Sequence, residues 1–248
     1  MVEFVYGIHI IQSLLDFSPK CFLKVYVLDN YHNNYRLKIL IERLEKICII
    51  KKVKNRHFLY KQVGVLTHQG IIAEIHKKNY FQESYLLELL IKEKNPLILV
   101  LDCITDPHNL GACLRCAHAF GVHVVIIPRN RSSQMNATVR KVASGAAEIV
   151  PLIRVTNLVR TLQLLQKYGI RVVGTILQSN HYLGQSQLLG KLALVMGSEG
   201  TGIRYLTRKT CDELISIPMI SSCASLNVAV ATGICLFEVL RQKMVCNY

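Results

Sequence analysis

Three short stretches carry polar side chains where the surrounding pattern would place a core. In DPHNLGACLR, Asn109 stands at an expected helix start and Arg115 lies nearly two turns further along the same helix. An arginine on a small, apolar helix calls for an anionic partner, because its fixed fork of donors stays charged and matches carboxylate or phosphate. The plainer alternative is a surface arginine beside a capping asparagine. The second stretch, Gly197 to Gly202, reads GSEGTG. Glycines let a ligand approach the backbone closely, and free loop amides can bind a carboxylate or phosphate. Glu199 within it can serve as a base, a hydrogen-bond acceptor or only a solvated loop carboxylate. In the third stretch, Ser225, Leu226 and Asn227 stand at the mouth of the last helix. Ser225 suits an N-cap, while the amide of Asn227 can orient a hydroxyl or another side chain.

The chain has no HExxH, GxSxG or P-loop lysine pattern. The late GxxGxG differs from the dinucleotide fingerprint, which follows the first strand of its unit. His108, His118 and His123 read as turn, surface and strand residues rather than as ligands or bases.

The elements that must position these residues are strands and helices in alternation. Leu192 to Met196 is a short apolar run ending at Gly197, and Leu214 to Met219 is a second one that runs into Ile220 to Ser225. Both read as strands of a parallel sheet, whose ligands sit outside the carboxyl ends of the strands. Further strands are expected at Leu97 to Leu101, ending in Asp102, at His123 to Ile127 and at Arg171 to Thr175. Helices are expected from Asn109 or Leu110 to Phe120, over Asn136 to Ser144, over Asn157 to Tyr168 and over Asn227 to Lys243. Upstream, helical spacing at Ile8 to Leu15, Leu37 to Lys46 and His57 to Val63 alternates with strand patterns at Phe22 to Leu28, Ile47 to Val53 and Gly70 to Ile75. That makes a smaller α/β unit, with His68 and Gln69 as a polar turn. The period fades in HKKNYFQES, so residues 77–96, with a short helix at Tyr85 to Ile91, are expected to link domain 1–76 to domain 97–248.

Thirty Lys and Arg against sixteen Asp and Glu give a formal charge of +14 over 248 residues. Such an excess attracts a polyanion, which points to nucleic acid. Its densest run is Lys51, Lys52, Lys54 and Arg56. The nine cysteines are an odd number and several fall inside apolar patterns, so reduced, buried thiols in a cytoplasmic protein are expected. Cys113 and Cys116 are too isolated from other ligands to suggest zinc. Neither a signal peptide nor a membrane segment is expected.

Taken together, DPHNLGACLR, LALVMGSEGTGI, and LISIPM followed by SLNVAVATGICLFE resemble the three motifs of the SpoU, or TrmH, family of RNA ribose 2'-O-methyltransferases. The resemblance continues through RNRSSQMNATVRKVASGAAEIVPLIRVTNL and the N-terminal YGIH and HQGI segments. It implies an α/β SPOUT domain with a deep C-terminal trefoil knot, preceded by a small L30e-like α/β domain that binds the RNA substrate. It implies S-adenosylmethionine as methyl donor, held around Gly197, Ile217 and Leu226, with no metal. The substrate implied is a guanosine in the P loop of 23S rRNA. A homodimer packed through the knot is implied too, with Arg115 supplied across it to assist deprotonation of the ribose hydroxyl. Asn109, Glu199, Ser225 and Asn227 match the polar positions that orient the hydroxyl, the arginine and the loops.

Two alternatives stand beside this. A noncatalytic RNA-binding or ribosome-assembly relative would be expected to have lost one of Asn109, Arg115, Glu199 or Asn227, and all four are present. A family member acting on tRNA is disfavoured by the auxiliary domain. The chain departs from the family pattern at Cys103, where Gly commonly follows the aspartate, and at Ala224, where Ser is common.

Overall fold

The computed structural model describes residues 2–76, 81–220 and 225–246, so Ala224 lies outside the described residues. The chain divides into two compact units, one of residues 1–79 with 136–149, the other of 80–135 with 150–248.

The first unit begins β1 (Val2–Tyr6), α1 (Ile8–Phe17), β2 (Phe22–Leu28), α2 (Tyr35–Leu44), β3 (Ile49–Val53), α3 (Arg56–Val63) and β4 (Ile71–His76). Its sheet runs β1-β4-β2-β3, with β4 antiparallel to both neighbours and β3 parallel to β2. One core is formed where α1 and α2 bury Ile11, Leu14, Leu40 and Ile41 against Val25, Val27 and Ile71 of the sheet. β1 is an addition to the expected elements. It pairs with β4 from Val2 opposite His76 to Tyr6 opposite Ile72, a long-range register that no local period in five residues announces.

The YGIH and HQGI segments meet in this unit. The Gln69 side chain, on a left-handed backbone at φ 56°, accepts a 2.8 Å hydrogen bond from the Ile8 amide at the start of α1. Next to it the buried His68 accepts from the Gly70 amide at 3.1 Å, and burial holds its imidazole below the usual histidine range. The polar turn is thus a remote helix cap.

The second unit continues with α4 (Glu83–Lys92), β5 (Leu97–Asp102), α5 (Pro107–Ala119) and β6 (Val124–Pro128). Two short helices follow, α6 (Ala137–Ala143) and α7 (Ala146–Ile149), which belong to the first unit. There the fully buried Arg140 of α6 pairs with Glu148 and, at 3.2 Å, with Glu3. The second unit resumes with β7 (Leu152–Val155), α8 (Leu158–Lys167), β8 (Arg171–Thr175), β9 (Leu192–Gly197), α9 (Tyr205–Thr210), β10 (Glu213–Ile215) and α10 (Val228–Cys246). Its sheet is parallel throughout, in the order β10-β8-β9-β5-β6-β7. Starting from β5 the chain winds outward to β6 and β7, then returns to build the other half, so the strand order switches between β5 and β9.

Three expectations are revised. Within residues 77–96, α4 buries Leu86, Leu89 and Leu90 in the core of the second unit, because its apolar residues recur at helical spacing. The run Leu214 to Met219 forms a strand only over Glu213–Ile215. β10 pairs with β8 as far as Thr175, after which Ser216 bridges to Tyr182 and Pro218 has no amide to donate. Finally, α5 begins two residues earlier than expected, with Asp106 as its N-cap accepting from His108 N at 2.8 Å and Pro107 in the first turn.

Replacing Gln69 with Ala removes the remote cap of α1 and should lower stability by about 1 kcal/mol, measured by urea denaturation.

Candidate active site

The site forms at the carboxyl ends of β5 and β9, where Asp102 stands opposite Gly197 in the ladder. The Asp102 carboxylate has no exposed surface. It accepts from the Arg204 backbone amide at 3.0 Å and from its guanidinium Nε at 2.7 Å. Between these anchors, residues 198–202 close a tight turn in which Gly202 N donates to Ser198 O at 2.9 Å and Ser198 N to Gly202 O at 3.2 Å. Gly202 has φ 65°, and a Cβ added at Gly197 would fall onto the Gly202 carbonyl and the Ile203 nitrogen. Glycine is therefore required at 197 by space and favoured at 202 by backbone conformation.

This turn presents Glu199, whose Oε1 gathers three donors. Asn109 Nδ2 lies at 3.1 Å, Val228 N at 3.2 Å, and Asn227 Nδ2 completes the set. Asn227 Nδ2 also donates to Asn109 Oδ1 at 2.8 Å. Its own Oδ1 accepts from Ala229 N at 3.0 Å and Val230 N at 3.4 Å, so Asn227 rather than Ser225 is the N-cap of α10. The carboxylate thus sits at the positive end of α10. Asn109, Glu199 and Asn227 come from three distant parts of the sequence and form one bonded node.

Beside the node, a cleft opens among the ends of β8 and β9 and the segment after β10. Gly197, Ile217, Leu226 and Ser225 line it with Ile176, Leu177 and Met196. Its mainly apolar walls with a few polar groups suit a small molecule.

Arg115 is not brought to the node. Six residues after Asn109 on α5, it is turned away by about 120°. It is exposed, and among the described residues it has no hydrogen-bond or ion-pair partner. The neighbouring face of α5 packs on α10, where Cys113 Sγ lies 3.6 Å from Thr232 Oγ1 and Cys116 Sγ lies 3.8 Å from Ala229 O. Burial pushes the Cys113 thiol up to about 12, so it is a neutral packing group at physiological pH. Among the described residues no three His, Cys, Asp or Glu side chains converge as a metal site requires.

Sequence reasoning gave no role to the pair of Asp102 and Arg204. An aspartate ending a strand whose other residues are all apolar was the available signal. At Cys103, the departure from glycine, φ is 62°, so the position takes the left-handed conformation that glycine adopts freely.

The profile of the SpoU rRNA methylase family matches residues 96–237, and that of RNA 2'-O ribose methyltransferase substrate binding matches residues 4–81. The chain is 57% identical over 243 residues to the 23S rRNA (guanosine-2'-O-)-methyltransferase RlmB of Photorhabdus laumondii, covering 98% of this chain and 99% of that one. With the protein of the same name from Escherichia coli K12 it shares 53% over 243 residues, covering 98% and 100%. In structure it is similar to the SpoU methyltransferase AviRb from Streptomyces viridochromogenes in complex with the cofactor AdoMet. That likeness has a TM-score of 0.80 at 20% identity, covering 98% of this chain and 91% of that one.

Gly197→Ala should force the turn open, costing about 1–3 kcal/mol as an overpacked site does. The melting temperature then falls by several degrees. Gly200→Ala, whose added carbon meets nothing within 4 Å, should leave it unchanged.

Proposed function

Because the chain belongs to the SpoU rRNA methylase family, we propose that it transfers the methyl group of S-adenosylmethionine to the ribose 2'-oxygen of a guanosine in the P loop of 23S rRNA. The observation that carries the reading is the match, along nearly the whole chain, to methyltransferases named for that nucleoside and that RNA. The geometry supports it. The mainly apolar cleft lined by Gly197, Ile217 and Leu226 suits the cofactor. S-adenosylmethionine supplies an electrophilic methyl group on a sulfonium.

The chain's own residues bind, orient and stabilise charge. The node of Asn109, Glu199 and Asn227 fixes the rim of the cleft at which a ribose hydroxyl would be held. Bringing the 2'-oxygen into line with the methyl group at near-attack distance supplies much of the acceleration. As the 2'-oxygen takes the methyl group its proton passes to solvent, and negative charge grows on the oxygen along the way. A guanidinium gives up a proton only with difficulty, so Arg115 acts chiefly as an electrostatic stabiliser of that oxyanion. Ser225 stands on the wall of the cleft.

Arg115 points away from the node of its own chain, which supports a homodimer in which it completes the site of a second copy. A trefoil knot in the C-terminal segment fits the way both flanks of residues 181–188 are held. On one side Ser216 N donates to His181 O at 3.0 Å. On the other, Gln242 of α10 accepts from Leu188 N at 2.7 Å and donates to Ser186 O at 2.9 Å.

Residues 1–76 serve as the L30e-like RNA substrate-binding domain and residues 97–248 as the methyltransferase domain. The exposed edge strand β3, carrying Lys51 and Lys52, fits the first role. A cytoplasmic location follows from a ribosomal RNA substrate. Among the described residues no helix is long and apolar enough to cross a membrane.

Incubation with labelled S-adenosylmethionine and unmodified 23S rRNA should yield one 2'-O-methylguanosine, with tRNA unlabelled. Arg115→Ala should reduce kcat by roughly 100- to 1000-fold, the cost of losing one oxyanion donor, without changing cofactor affinity. Label on tRNA alone would reassign the substrate, and RNA binding with no transfer to either RNA would favour the noncatalytic reading.

A further inference from the structure

A second cleft opens on the far side of the Asn109 and Glu199 pair, within the same unit, and the mechanism above gives it no role. Its walls include Cys103, Asp106, Arg131 and Arg204. Of the four non-glycine residues with positive φ among the described residues, two face it, Cys103 at 62° and Arg131 at 57°. A left-handed backbone at a residue with a Cβ is strained, and it persists where surrounding contacts enforce it. Those contacts are visible. Gln134 Nε2 donates to Arg129 O at 3.3 Å and Ser132 O at 3.1 Å, and Ser133 N donates to Ile104 O at 2.7 Å. The loop carrying Arg131 is thereby closed on itself and stitched to the loop after β5.

The other charged groups of the cleft are bonded within the chain, Arg204 in an ion pair and the two lining carboxylates to neutral donors. Asp102 is neutralised by Arg204. Glu199 faces the amide end of α10, and Asp106 caps α5. Arg131 is exposed and, among the described residues, has no carboxylate in an ion pair. A guanidinium without an ion-pair partner, carried on a held backbone at a cleft that reaches Asn109 and Glu199, is suited to a phosphate.

We propose that Arg131 binds a phosphodiester of the RNA strand adjoining the target nucleotide, so that the ribose is presented to Asn109 and Glu199 in one register. This rests on the RNA methyltransferase reading above.

The test uses Arg131→Gly, which removes the charge while fitting the left-handed backbone, in the full-length protein. Arg160→Ala, which removes an exposed cation from α8, controls for net charge. The melting temperature of Arg131→Gly should be unchanged or higher. Its KM for unmodified 23S rRNA should rise roughly tenfold or more, with kcat and the Kd for S-adenosylmethionine little changed. For a single-stranded RNA oligonucleotide, the slope of log K against log salt concentration should become shallower by about 0.7. Equal losses in both variants, unchanged RNA affinity, or a weakened cofactor Kd would overturn the proposal. If the wild type leaves 23S rRNA unmethylated yet binds the oligonucleotide in an Arg131-dependent way, the substrate assignment fails and the phosphate site stands. Wild type that neither methylates nor binds RNA removes both.

Discussion

A carboxylate with no exposed surface at the end of a central apolar strand is tolerated only when its oxygens are bonded and its charge is matched. Asp102 meets both conditions through Arg204, which gives it the backbone amide and the guanidinium together. The consequence reaches beyond one ion pair. Arg204 ends the turn that starts at Gly197, and Gly197 is the ladder partner of Asp102, so the turn is pinned at both ends to the same point of the sheet. Only with the turn pinned does Glu199 stand where Asn109, Asn227 and the first amide of α10 converge on it. Removing the Asp102 carboxylate would leave an unmatched arginine and free the segment that carries Glu199.

The node also shows how one chain divides its polar work. Glu199 accepts from side chains on two helices and from the end of one, so it fixes α5 and α10 relative to β9 while the cleft for a small molecule lies beside it. The packing that places Asn109 inward turns Arg115 outward, since six helical residues separate their directions by about 120°. The exposed position of Arg115 is the basis of the proposal that a second copy of the chain supplies it to the site.

Much of this was legible in the sequence. The buried strands β5, β6 and β9 announce themselves as unbroken apolar runs, and the polar breaks after them mark the site. Asn109, Glu199 and Asn227 stood out because polar residues there offend the pattern. Less legible were the features decided by distant partners. β1 gains its identity only by pairing with β4 some seventy residues on, and Gln69 becomes a cap only when α1 is brought to it. Nor could local spacing tell that residues 136–149 pack in the first unit, because the ion cluster of Arg140, Glu148 and Glu3 spans most of the intervening chain. The choice of Asn227 over Ser225 as the cap of α10 turned on two residues of register, finer than propensity resolves.

The central claim is that a catalytic site is built from the node of one chain and Arg115 of another. Mixed dimers of Arg115→Ala and Asn227→Ala protomers test it most directly, by methyl transfer to 23S rRNA after the two inactive proteins are co-refolded. The account predicts that activity absent from either variant alone returns in the mixture, since each mixed dimer holds one intact site. Continued inactivity, with heterodimers demonstrated, would contradict it and place both residues in the site of a single chain.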